Sequence, residues 1–217
     1  MKRSVLTHCS VVALLAVQAL AFAVPTALGA PRSSLIPAEA QKRILSEPGV
    51  PIVGSAHADV TVVEYFDYNC PFCRALAPVF RAFVDQDHTA AVLYKEWPIF
   101  GGVSVYAAQA ALAANYQGKY LHAHEALISA PRLEKDTQVD AVLGGAGIDM
   151  VQLKKDLVAH RASIEDLLKR NDNEARDLGL RGTPGILVGR RIASGIDDLS
   201  ALQSAVALSR HPGVKQH

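Results

Sequence analysis

Two dense apolar runs stand out along the chain. Val60, Val62, Val63, Tyr65 and Phe66 form the first, and residues 91–97 the second; both predict strands, the latter stopped by Pro98 and Gly101-Gly102. Between them Leu76, Val79, Phe80 and Phe83 recur at helical spacing and predict a helix from Pro71 to about residue 85. Pro78 falls inside it, where a lost hydrogen bond should kink the axis. From Val103 the period turns helical for about seventy residues. Helices are expected over 104–116, ended by Gly118, then 119–129, 137–143, 149–160 with Asp149 as N-cap, and 163–178. Ser163 and Asp166 stand at capping-box spacing for the last of these. Residues 185–188 and 191–193 read as short strands around Gly189-Arg190, and 198–208 as an amphipathic closing helix.

Ahead of the first strand, residues 31–58 are punctuated by Pro, Gly and Ser and carry one helical candidate, 38–45. They read as an arm. The order β-α-β, helical block, β-β-α predicts one α/β domain, residues 51–101 and 179–217, interrupted by a helical insertion at 102–178.

The first 29 residues change the counts. Lys2 and Arg3 precede an apolar run over 11–24, followed by small-residue cleavage sites after residue 23 or 29, the pattern of a secretory signal. The run is too short to span a bilayer. Its removal leaves 20 basic against 21 acidic residues, which makes no electrostatic case for nucleic acid or an anionic membrane. It also removes Cys9, so Cys70 and Cys73 are the only cysteines expected in the mature chain.

That pair carries the chemistry. Strand, Cys-Pro-Phe-Cys, helix places Cys70 at a helix N-terminus, where free N–H groups and the helix dipole stabilise a thiolate. Pro71 suits the first helical position. Stapling is a poor use for the pair, since a two-residue loop constrains the unfolded chain little. Zinc normally takes four ligands, and there is no second cysteine pair. A redox dithiol is the leading expectation, with Cys70 as nucleophile and Cys73, a turn further in and more buried, as resolving thiol. Phe72 neither donates a hydrogen bond nor carries charge, so it adds less thiolate stabilisation than a histidine would. Glu64 lies on the Val60–Val62 face of its strand. Buried there, its carboxyl would have a raised pKa and could relay protons for Cys73; a surface position or a pair with Lys95 is the alternative. His122 and His124 point different ways on a helix, and His124, sharing a face with Tyr120 and Leu127, is expected in the core.

Phe66-Asp67-Tyr68-Asn69-Cys70-Pro71-Phe72-Cys73 resembles the active-site segment of DsbA-family thioredoxin-fold proteins, most closely the periplasmic ScsC-like group. Pro78, Lys95-Glu96-Trp97-Pro98-Ile99-Phe100-Gly101 and Arg181-Gly182-Thr183-Pro184 extend the likeness over residues 51–208. The resemblance implies a thioredoxin fold with an inserted helical domain and a proton-relay role for Glu64. It implies a cis Thr183-Pro184 bond facing the dithiol, and client binding by Thr183, Pro184, Pro71 and Phe72. It also implies an exported, periplasmic thiol–disulfide oxidoreductase with no cofactor beyond its dithiol, recycled by a membrane redox partner. Pro-Phe between the cysteines and Thr183 before the proline depart from the strongest oxidases. They point to a potential between those of thioredoxin and DsbA, roughly −270 to −120 mV. The short arm departs from the longer N-terminal segment of oligomeric isomerases, so a monomer is expected. The competing expectation is a copper-handling protein using the same two thiols as soft Cu(I) ligands.

Overall fold

The two long apolar runs become the central strands of a five-stranded sheet because every residue of the second, and all but Thr61 of the first, is buried. Strands covered on both faces need continuous apolar sequence rather than alternation. The computed structural model describes residues 35–211; the expected signal segment, with Cys9, lies outside them. The elements run α1 (Ala38–Leu45), β1 (Ile52–Gly54), β2 (Val60–Phe66), α2 (Pro71–Gln86), β3 (Ala90–Glu96), α3 (Gly102–Ala114), α4 (Tyr120–Ser129) and α5 (Asp136–Gly145). They continue through α6 (Met150–Ala159), α7 (Arg161–Asp177), β4 (Gly185–Val188), β5 (Arg191–Ala193) and α8 (Leu199–Arg210). The sheet order is β1-β3-β2-β4-β5, parallel between β2 and β3 and antiparallel elsewhere.

Each face of the sheet carries its own core. Val60, Val62 and Phe66 pack with Leu76, Phe80 and Phe83 of α2 and Leu202 and Val206 of α8, continuous with the core of the five inserted helices. Val63, Tyr65, Leu93, Trp97 and Leu187 face Ile44 of α1 and Ala175 of α7. Within the insertion, α3 is apolar all round and buries Ala107, Ala108, Ala110, Ala111, Ala113 and Ala114, as a helix enclosed by others should. Gly118, at φ 66°, turns the chain between α3 and α4.

Two expectations are corrected. The arm contains a strand, β1, pairing Ile52, Val53 and Gly54 with Leu93, Val92 and Ala91. Three residues are too few to show alternation, and Gly54 serves because a Cβ there would meet Ala90 O at 2.6 Å. The last inserted helix starts at Arg161, two residues before the expected cap, so Ser163 lies inside its first turn. His160 ends α6 and opens α7 without a capping side chain. Asp149 does cap α6, accepting from the N–H groups of Val151 and Gln152.

Candidate functional site

β2 delivers the chain to Asp67, and the next turn sets Cys70 as N-cap of α2 with Pro71 at the first helical position. Cys70 Sγ accepts from Cys73 N–H at 3.5 Å and, while protonated, donates to the carbonyl oxygen of Thr183 at 3.2 Å. Both thiols are free and nearly covered, at 1% and 0% exposure, so partners rather than access distinguish them. The Cys73 thiol donates towards Cys70 and outweighs burial; with the Thr183 side chain and the N–H groups of Cys73 and Phe72, it draws Cys70 down to about 6. Cys73 is pushed far up by burial, by that same donation and by the Glu64 carboxyl. One sulfur is thus ionised at neutral pH and the other keeps its proton.

Glu64 is buried at 3% exposure on the Val60–Val62 face, with Tyr94 opposite it in β3. Burial, then Cys70 and Glu96, raise its pKa well above the carboxylate range. It does not pair with Lys95. That side chain points to the other face and binds Glu174 at 2.7 Å.

Thr183-Pro184 is cis. Besides its carbonyl, Thr183 brings a buried hydroxyl to the side of the sulfur. Phe72 is 71% exposed. With Leu76, Pro184, Ile186, Ala193 and Ile196 it lines an apolar groove of about 270 Å³ along one side of the dithiol. A larger cavity, about 640 Å³, lies at the opposite end of β2 around Asp59, Arg190, Arg191 and Arg210, away from the sulfurs. The structure therefore brings together Cys70, Cys73, Thr183, Pro184, Phe72 and Glu64. Pro71 is exposed beside them.

Residues to which the sequence assigned no part in the site hold this arrangement. Asp67, 1% exposed, accepts from Asn69 N–H (2.7 Å), Ser104 Oγ–H (2.8 Å) and Phe100 N–H (2.9 Å). Tyr68 and Tyr120 hydroxyls donate to Glu96 Oε1 at 3.0 and 2.9 Å. His124 is in the core, as expected, with Nδ1 3.3 Å from the Tyr68 hydroxyl; burial drops its pKa to about 3, so the ring is neutral. The one sequence signal was a polar Asp-Tyr-Asn between an apolar strand and the dithiol. Among the described residues no three His, Cys, Asp or Glu side chains cluster to hold a metal ion.

Comparison with known proteins agrees with this geometry. A thioredoxin-like oxidoreductase from Silicibacter pomeroyi superposes with a TM-score of 0.74 at 36% identity, covering 81% of this chain and 98% of that one. The thiol-disulfide exchange protein alpha-DsbA2 of Wolbachia pipientis gives 0.73 at 25% identity, covering 78% and 91%. The catalytic domain of Proteus mirabilis ScsC shares the fold, at 0.70 and 24% identity over 79% and 95%. The chain spans about a quarter of the length of the curated relatives first matched, among them Na(+)/H(+) antiporter NhaA 1 of Salinispora arenicola, 27% identical over 157 residues (70% of this chain, 24% of that protein). The DSBA-like thioredoxin domain matches residues 61–207, the whole stretch from β2 into α8 that builds the dithiol and its cover, and the chain belongs to that family.

Proposed function

We propose that this chain is an exported, periplasmic thiol–disulfide oxidoreductase that exchanges disulfides with client proteins through Cys70 and Cys73, with no other cofactor. The asymmetry of the two thiols carries the reading: Cys70 near 6, Cys73 held protonated, Glu64 buried beside them. The name and 36% identity of the Silicibacter oxidoreductase support it.

In the oxidising direction a client thiolate attacks Cys70 of the Cys70–Cys73 disulfide. The S–S bond breaks, Cys73 leaves as a thiolate and takes a proton from the Glu64 carboxyl, and Cys70 is joined to the client. A second client thiolate attacks the client sulfur and expels Cys70 as the stable thiolate. The client loses two electrons and the dithiol gains them. Run backwards, Cys70 attacks a client disulfide, Glu64 takes the Cys73 proton, and Cys73 releases the client. The extended backbone at Thr183 pairs with the client segment, and Phe72, Pro71 and Pro184 border the groove for its side chains. A Cys70 value near 6 lies between about 7 for thioredoxin and about 3.5 for DsbA, in keeping with an intermediate potential. A membrane redox partner returns the dithiol to its starting state, and the monomer is the working unit.

The test is trapping. Cys73→Ser should accumulate a mixed disulfide between Cys70 and scrambled, disulfide-containing ribonuclease, whose S–S bond the Cys70 thiolate attacks with loss of a client thiolate, visible on a non-reducing gel. Cys70→Ser should abolish both trapping and insulin reduction. Exchange that survives Cys70→Ser, or tight Cu(I) binding without exchange, overturns the reading.

A further inference from the structure

The residue immediately before the nucleophile is held from a distance. Asn69 is 4% exposed, and its amide binds both main-chain groups of Leu133: Nδ2 donates to Leu133 O at 3.0 Å, and Leu133 N–H donates to Oδ1 at 2.9 Å. A side chain here does what a neighbouring strand would do. Leu133 is itself buried at 3% exposure, between α4 and α5. The next two residues are fixed, since Glu134 and Lys135 N–H both donate to Gln138 Oε1, at 2.7 and 3.1 Å. The anchor is therefore firm.

The main chain of the same turn is tied as well. Asn69 N–H donates to Asp67 Oδ1 at 2.7 Å and Cys70 N–H to Asp67 O at 3.0 Å. Asp67 is bound in turn to Ser104 at the start of α3. The groups facing the Cys70 sulfur come from three elements: Phe72 and Cys73 N–H and the Cys73 thiol from α2, Thr183 from the loop before β4, and the Glu64 carboxyl from β2. A hydrogen bond to a charged sulfur weakens steeply with misalignment, so the position of the Cys70 Cα decides how well these groups act.

We propose that Asn69 is a positioning residue for the Cys70 thiolate, using the Leu133 segment of the helical insertion as its fixed point. The inference deepens the proposed thiol–disulfide chemistry and depends on it. The insertion then contributes to the dithiol's poise through the main chain of Leu133.

The experiment follows alkylation of the reduced full-length protein by iodoacetamide from pH 4 to 9, for wild type, Asn69→Ala and Asn69→Gln. Gln keeps the amide but sets it one methylene too far out to make both bonds, and guards against an alanine variant that fails to fold. Both variants should titrate about one pH unit higher, so alkylation falls about tenfold at pH 5 and converges with wild type at pH 9. Their glutathione equilibrium should shift towards the disulfide in step. Coincident midpoints, or a loss of rate equal at every pH, would reduce Asn69 to structural support and overturn the inference. A wild-type thiol that titrates near 8.5 would instead overturn the dithiol mechanism itself.

Discussion

Cys70 and Cys73 are the same side chain one helical turn apart, yet their protons are held on opposite terms. Cys70 receives hydrogen bonds from α2 and meets Thr183, whereas Cys73 has apolar walls and a carboxyl. In the proposed mechanism Glu64 serves the buried thiol, because burial holds its carboxyl well above the usual range and favours the protonated form that can supply a proton. Glu64→Gln keeps the shape and removes the proton. Release of client from the mixed disulfide at pH 7 should slow by about tenfold or more in stopped-flow measurements. An unchanged rate would take Glu64 out of the mechanism. Its face was legible from alternation along β2 and its burial from its apolar neighbours; the Thr183 hydroxyl was not, since nothing local in Arg181-Gly182-Thr183-Pro184 says which group faces the sulfur.

At the scale of elements, α7 is bolted to the sheet by buried and part-buried polar contacts. Lys95, 1% exposed, binds Glu174 at 2.7 Å, and Glu174 also accepts from the Tyr65 hydroxyl at 2.5 Å. Trp97 Nε1–H donates to Asp172 at 2.8 Å, and Asn171 Nδ2 donates to Glu96 O at 3.0 Å. Removing one partner of a buried pair leaves the other's charge uncompensated, so Lys95→Met should destabilise the protein by about 3 kcal/mol in urea unfolding. Adding Glu174→Gln, which still accepts from Tyr65, should recover most of that loss. A double variant no more stable than the single one would place the cost in lost packing of the lysine stem instead. None of these ties was readable in advance. A lysine and a glutamate inside a strand pattern give no hint of a helix about eighty residues away. The long helices and the two central strands were readable, because their periods are set by burial over ten or so residues. β1 and the start of α7 were not, being fixed by pairing and by a tight turn.

Over the whole molecule, buried carboxyls set the pH response. Glu64 and Glu96 titrate at their usual 4.5 when unfolded, and burial raises both in the folded state. The folded form then holds more protons above pH 4.5, so this part of the stability falls as pH rises from there. Asp87 acts in the other direction: Arg210 draws it from 3.8 to about 2, so its contribution is present above pH 3.8 and lost as pH falls towards 2. Glu96→Gln should therefore narrow the difference in unfolding free energy between pH 5 and pH 8. An undiminished difference would mean that Glu96 ionises alike in both states.

The sulfur and its cover come from residues 113 positions apart. A chain synthesised from its N-terminus offers Cys70 and Cys73 to its surroundings long before Thr183 exists to meet them. Cys9, the other cysteine of the sequence, lies in the expected signal segment, so once that segment is removed the pair can bridge only itself or another molecule. Closure of β4 onto β2, a contact of high sequence separation, follows the whole helical block. The order of synthesis thus acts as a safety catch: the dithiol meets its cover only when Thr183, 113 residues after Cys70, has arrived.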